Sequence, residues 1–275
     1  MTTRLFFIGE GRIADAVLTL QFEYNLDPLP NKTVIHHKPA EEEIKRVFDQ
    51  YNIDYSKFSF VQDQVLLDQF YKNTNCNLEK IIKVTELHSW VVQQLLKLSA
   101  LDLCEDKQVV ISDCDVLHLR TRQYFKNNQP CLLVSDDIKD PIWDFIVQDL
   151  TGINSISNRN FVSEFFPILK TQWQELKEQI ENQHGCFWMN AVVKSILSYP
   201  DRSFSEYQLL GNWLLKYDVE LIEKCTSALH DHKDIDLILE RNLLKQIKSL
   251  NHFLTTGIEF DQIPKVKSII ERCFK

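Results

Sequence analysis

Short apolar runs alternate with amphipathic stretches through the first half of the chain. Residues 4–8, 33–36, 58–61, 108–112 and 130–135 form brief runs of apolar and β-branched residues, as buried strands do. Between them, residues 13–24, 64–71 and 84–101 carry apolar positions at helical spacing. A further helix is opened by Pro39 and by Glu41, Glu42 and Glu43, carboxylates that the helix dipole favours in a first turn. Strand and helix in alternation predict an α/β fold with a mostly parallel central sheet and helices on both faces.

The second half reads as mostly helical. Residues 161–166 form a possible strand stopped by Pro167, and helices are expected over 169–180, 187–197 and 205–216. Residues 234–254 and 264–274 are expected to make a helical tail. With no internal repeat and no Gly/Ser linker, the expected organisation is one α/β domain over residues 1–217, with a helical C-terminal extension over 218–275 packed on it.

Composition narrows the class. The chain has 275 residues, 44% hydrophobic and 25% charged, which is ordinary for a globular protein. A net charge of −8 with no dense basic run argues against a nucleic-acid partner. No apolar stretch reaches the roughly 20 residues of a membrane span. Residues 5–8 are too short for a signal-peptide core of about 7–15 residues. The seven cysteines are scattered without a CxxC pair, which points to a reducing, cytoplasmic setting and away from zinc.

Candidate chemistry centres on Ser112-Asp113-Cys114-Asp115, where an apolar strand ends in two carboxylates two residues apart. Ligands of open α/β sheets bind outside the carboxyl ends of strands. Carboxylates there are hard ligands for Mg²⁺ or Mn²⁺, and such ions bridge an acidic protein to substrate phosphates. The plainer reading is a solvated turn after a strand. A metal-dependent phosphatase-type enzyme also begins with a strand and Asp-x-Asp, and Asp136-Asp137 follows a later strand. Val116 and Leu117, however, replace the Gly-Thr of that pattern.

Three more segments accompany the acidic pair: Trp90-Val91-Val92-Gln93-Gln94-Leu95-Leu96-Lys97-Leu98, Phe161-Val162-Ser163, and Phe204-Ser205-Glu206-Tyr207-Gln208-Leu209-Leu210-Gly211-Asn212. Together they resemble a family of GT-A glycosyltransferases with a Trp…Gln-Gln-Leu-Leu-Lys helix, an Asp-x-Asp strand and a Ser-Glu-Tyr…Gly-Asn motif. The match runs over about residues 84–215. It departs at Gln208, where the family has an acidic residue, and at Leu210, where it has Tyr.

The resemblance implies a GT-A-like fold and transfer of a sugar from a nucleoside-diphosphate sugar to a carbohydrate or glycan acceptor. It implies Asp115 as the metal ligand, with Asp113 sharing the metal or holding the ribose. Glu206 is the expected general base for an inverting transfer, or else a helix-end carboxylate. Gln93 and Lys97, four apart on one helix face, are expected toward the donor, and Gln94 toward solvent. Ile8 and Gly9, at the end of the first strand, are expected where the backbone approaches the nucleotide. Gln208 mildly favours the alternative of a degenerate module that binds carbohydrate or protein. His230 and His232 read as surface histidines, with completion of the metal site as the alternative, and His36-His37 reads as a strand-end pair.

Overall fold

The computed structural model describes residues 2–8, 31–36, 40–50, 54, 56, 58–74, 89–114, 116–118, 123–135, 138–163, 165–199, 204–223 and 253–255. Its centre is a five-stranded sheet. Strands β1 (Thr2–Phe7), β2 (Asn31–His36), β3 (Phe58–Gln62) and β4 (Gln108–Asp113) are parallel, and β8 (Phe165–Leu169) lies antiparallel to β4. The order is β3-β2-β1-β4-β8. The chain therefore steps outward from β1 to β3, then returns across β1 to place β4 on its other side. Between β1 and β4 the order reverses, and such a reversal opens a crevice at the carboxyl ends of the two strands.

Helices cover the sheet because its central strands are apolar on both faces: Val109, Val110 and Ile111 are all fully buried. Helix α1 (Ala40–Gln50) follows β2, α2 (Asp63–Thr74) follows β3, and α3 (Ser89–Leu103) leads into β4. Beyond β4 come β5 (Val116–His118) and a hairpin of β6 (Phe125–Lys126) with β7 (Gln129–Val134). Helix α4 (Pro141–Thr151) starts at Asp140, whose side chain accepts from the Ile142 N–H, and stops at Gly152 with φ 70°. Helices α5 (Lys170–His184), α6 (Trp188–Ser198) and α7 (Glu206–Leu214) complete the helical half, with Trp173 and Trp188 edge to face at 4.9 Å in their core.

Two expectations change. The strand expected over 161–166 lies at Phe165–Leu169 and contains Pro167, opposite Val110. A proline is tolerated there because β8 ends the five-stranded sheet, where one row of N–H groups has no ladder to serve. The extension expected to be helical contributes strands where it is described. β9 (Glu220–Glu223) pairs parallel with β7, and β10 (Phe253–Thr255) pairs antiparallel with β5. Leu221 and Ile222 supply the apolar, β-branched centre of a short strand, and β7 offers an edge for it. The helices expected over 13–24 and 264–274 fall outside the described residues.

Candidate active site

Helix α3 has little outward face. Val91, Gln94, Leu95, Leu96, Lys97, Leu98, Ser99, Ala100 and Leu101 are all buried, between the sheet, α2 and α7. Gln94, expected in solvent, is thus 2% exposed, while Gln93 is half-buried. A leucine stripe had implied an opposite polar face, but packing on several sides leaves no such face.

Lys97 is the consequence. It is 2% exposed, and its Nζ stands 2.8 Å from Asp113 Oδ1 and 2.8 Å from Glu206 Oε1. The contact to Glu206 is a hydrogen bond, and that to Asp113 is a close ion pair. Nζ also lies 3.4 Å from the Tyr207 hydroxyl and 4.4 Å from the centre of its ring, a cation–π distance. Phe166 of β8 stacks on the same tyrosine at 5.5 Å, which fixes the ring under the ammonium.

Burial works against the Lys97 charge. Asp113 and then Glu206 outweigh it, and they hold the lysine pKa well above its ordinary value. Burial, followed by the Asp113 carboxylate, likewise pushes the Tyr207 phenol well above its usual range.

Two segments far apart in sequence supply the carboxylates. Asp113 closes β4, in register with Phe7 of β1, and the next residue, Cys114, donates its N–H to Phe7 O at 3.2 Å. Its side chain keeps 23% of its surface open, at the carboxyl-end crevice where the strand order reverses. Glu206 is the first residue of α7, which Ser205 caps through its hydroxyl to the Gln208 N–H. Glu206 is only 1% exposed. Its Oε2 is buried without a hydrogen-bond partner among the described residues.

In this structure Glu206 is sealed inside and turned to Lys97, whereas a general base must come within hydrogen-bond reach of the proton it takes. It is the first-turn carboxylate of α7, and Ser205 is the cap.

The rest of the Ser-Glu-Tyr…Gly-Asn segment holds the helix in position. A Cβ on Gly211 would sit 2.2 Å from the ring of the fully buried Phe161, so only glycine permits this approach. Asn212 Oδ1 accepts the Ser157 N–H at 2.8 Å. Gln208, fully buried, donates through Nε2 to Asn160 Oδ1 at 2.8 Å. That oxygen also accepts the Val162 N–H, while the Asn160 backbone pairs with Ser135 past the end of β7. Gln208 therefore stands at a position that needs a donor, which a carboxylate does not supply. Asn160 was not singled out from the sequence. The available signal was a helix apolar on all sides, whose polar members must find partners inside.

The other expected residues are placed as follows. Ile8 is buried and gives its N–H to Ile35 O at 3.0 Å, at the carboxyl ends of β1 and β2. Gln93 is one helical turn before Lys97. His36 is buried and faces the Glu41 carboxylate at 3.5 Å, as a strand-end residue does. Gly9, Asp115, His37, Asp136, Asp137, His230 and His232 lie outside the described residues. A separate cavity of about 300 Å³ is lined by Thr3, Leu5, Ile35, Val61, Leu103 and Cys104 among others, and Asp113 does not line it.

No protein-family model matches the chain, and no curated protein matches its sequence. Solved structures follow a similar chain path. Mouse xyloside xylosyltransferase 1, in its apo form, is 10% identical over 93% of this chain and 97% of its own, with a TM-score of 0.48. The 4-diphosphocytidyl-2C-methyl-D-erythritol synthase of Anaerococcus prevotii is 10% identical over 89% of this chain and 96% of its own, with a TM-score of 0.43. The galactosyltransferase LgtC, in complex with donor and acceptor sugar analogues, is 14% identical over 80% of this chain and 72% of its own, with a TM-score of 0.43. These likenesses concern the path of the chain and nothing finer.

Proposed function

We propose that the chain is a GT-A-type glycosyltransferase. It moves a sugar from a nucleoside-diphosphate sugar to a hydroxyl of a carbohydrate or glycan acceptor, with Mn²⁺ or Mg²⁺ held by Asp113 and Asp115. One observation carries the reading: Asp113 ends β4 beside β1, at the point where the strand order reverses. That crevice is where open α/β sheets bind nucleotides. The motif resemblance over residues 84–215 supports the same reading from the sequence.

The donor chemistry suits a hard divalent ion. Asp113 brings a partly open carboxylate to the crevice. Magnesium-type ions need only one or two protein carboxylates when substrate phosphates supply the remaining oxygens. Among the described residues no group of three or more His, Cys, Asp and Glu gathers around a common point. A bound ion would supply charge stabilisation to the departing diphosphate.

The chain's own residues orient and enclose. While no ion is bound, Lys97 holds the Asp113 carboxylate, and Glu206 and the Tyr207 ring hold Lys97. Gln93, a turn from Lys97, remains a candidate for the donor, as do Ile8 and Gly9 at the end of β1.

A second reading is favoured by the burial of Glu206: a module that binds a nucleotide sugar or glycan without transferring the sugar. The free thiols at Cys104, Cys131 and Cys186 agree with a reducing compartment such as the cytoplasm. No helix among the described residues is long and apolar enough to cross a membrane.

A thermal-shift screen of UDP and GDP, with and without Mn²⁺, tests the proposal. A ligand that binds only the folded chain raises its melting temperature by mass action. A shift that requires both nucleotide and Mn²⁺ is expected, and no shift under any combination would remove the nucleotide-sugar reading. Release of free nucleotide from a UDP- or GDP-sugar then separates transferase from binding module.

A further inference from the structure

We infer that Lys97 is a resident cation that competes with a divalent ion for Asp113, and that Glu206 is the positioning residue that takes over its ammonium when the ion binds. This rests on the divalent-cation reading of the crevice given above.

The first support is the symmetry of the contacts. Nζ stands 2.8 Å from Asp113 and 2.8 Å from Glu206, so one ammonium serves two carboxylates. The second is their difference in access. The Asp113 side chain is 23% exposed and that of Glu206 1%, so an ion arriving from solution meets Asp113 and not Glu206. The third is the orphaned oxygen. Glu206 Oε2 is buried with no hydrogen-bond partner among the described residues, beside the Oε1 that the ammonium already touches. A buried carboxylate oxygen in that state is costly, and a small inward shift of Nζ would satisfy it.

These facts fit one exchange. With the ion absent, the ammonium neutralises Asp113. A dication at Asp113 repels the ammonium across a few ångströms of weakly screened interior. The ammonium then settles on both oxygens of Glu206, over the Tyr207 ring that already lies 4.4 Å away. No bond is made or broken. Lys97 thereby holds down the affinity of the empty site for metal.

Calorimetric titration of the full chain with Mn²⁺ alone, with free Mn²⁺ followed by electron paramagnetic resonance, tests this. Asp113→Asn identifies the site by abolishing the binding. The double variant Lys97→Met/Glu206→Gln removes the two inner charges together and leaves the partly open Asp113 carboxylate. It should bind Mn²⁺ at least about tenfold more tightly than the native chain, a clear difference in free energy. Glu206→Gln alone, which leaves the ammonium only Asp113 as a charged partner, should bind about tenfold more weakly. A merely structural role for Lys97 and Glu206 would move both variants in the same direction or neither.

Mn²⁺ binding that Asp113→Asn abolishes, but that neither Glu206→Gln nor the double variant alters, overturns the inference and leaves the cation reading standing. A native chain that binds no Mn²⁺ through Asp113 overturns both. Should the double variant fail to fold, Glu206→Gln decides alone, since it keeps the size and a hydrogen-bonding oxygen for Lys97.

Discussion

Helix α7 uses its buried polar residues in two opposite ways. Gln208 and Asn212 are buried with their partners in place on Asn160 and Ser157, and Gly211 lets Phe161 come close. Glu206 is just as buried, yet it keeps one oxygen without a hydrogen-bond partner among the described residues and shares a single ammonium with Asp113. Satisfied amides fix one arrangement. A half-satisfied ion triad leaves room for a second. The contrast separates residues that hold the helix from residues that could respond to a ligand, although both belong to one run of eight positions.

The largest effect expected from breaking this contrast is at Lys97. Lys97→Met strands two carboxylates beside an apolar chain and should cost about 3–5 kcal/mol in urea unfolding. Lys97→Met/Glu206→Gln should recover most of that loss. If the double variant is as unstable as the single one, the cluster is packing rather than charge balance.

Among the holding residues, Gln208→Glu places a carboxylate against Asn160 Oδ1, which the Val162 N–H pins in place. It should cost about 3 kcal/mol at pH 7, as an uncompensated buried charge does. Burial raises the pKa of such a carboxyl above its unfolded value. Its protonated form, which can donate to Asn160, is therefore retained below the unfolded pKa, and stability falls as pH rises. The defect should thus shrink on acidification toward about pH 5, relative to the native chain. A penalty independent of pH would contradict the donor role of Gln208.

Gly211→Ala drives a methyl group into the Phe161 ring and should cost about 1–3 kcal/mol, the usual range for overpacking. Ser205→Ala removes the α7 cap and should cost about 1 kcal/mol. Neither should change Mn²⁺ affinity beyond what loss of folded protein explains. If either does, the division of α7 into holding and responding residues is wrong.

Much of the frame was legible in the sequence, because strand and helix periods reflect burial on one or both faces. The runs that became β1 to β4 and β7 were each visible, and so was Asp113 at a strand end. The position of β8 was read four residues early, because Pro167 resembles a stop when the edge position that tolerates it is unknown. The strands β9 and β10 were missed. They are three or four residues long, and their pairing with β7 and β5 is a tertiary event that no local period records.

The candidate site was legible as residue types but not as an arrangement. Lys97, expected toward the donor, and Glu206, expected as an accessible base, both stand out in the sequence, but their pairing with each other does not. Their meeting inside the protein depends on α3 being packed on several sides by elements from both halves of the chain. Gln208 read as a lost carboxylate because its partner, Asn160, lies 48 residues away.

The central claim is that Asp113, with Asp115, makes a cation-dependent nucleotide site at the crevice between β1 and β4. Calorimetric titration of UDP and GDP in the presence of Mn²⁺, on the native chain and on Asp113→Asn and Asp115→Asn, tests it most directly. The account predicts binding that disappears without Mn²⁺ and weakens by about 100-fold or more in either variant, roughly 2.7 kcal/mol. It also predicts melting temperatures close to the native value, since each change keeps the size of the side chain. Nucleotide affinity equal to that of the native chain in both variants would contradict it.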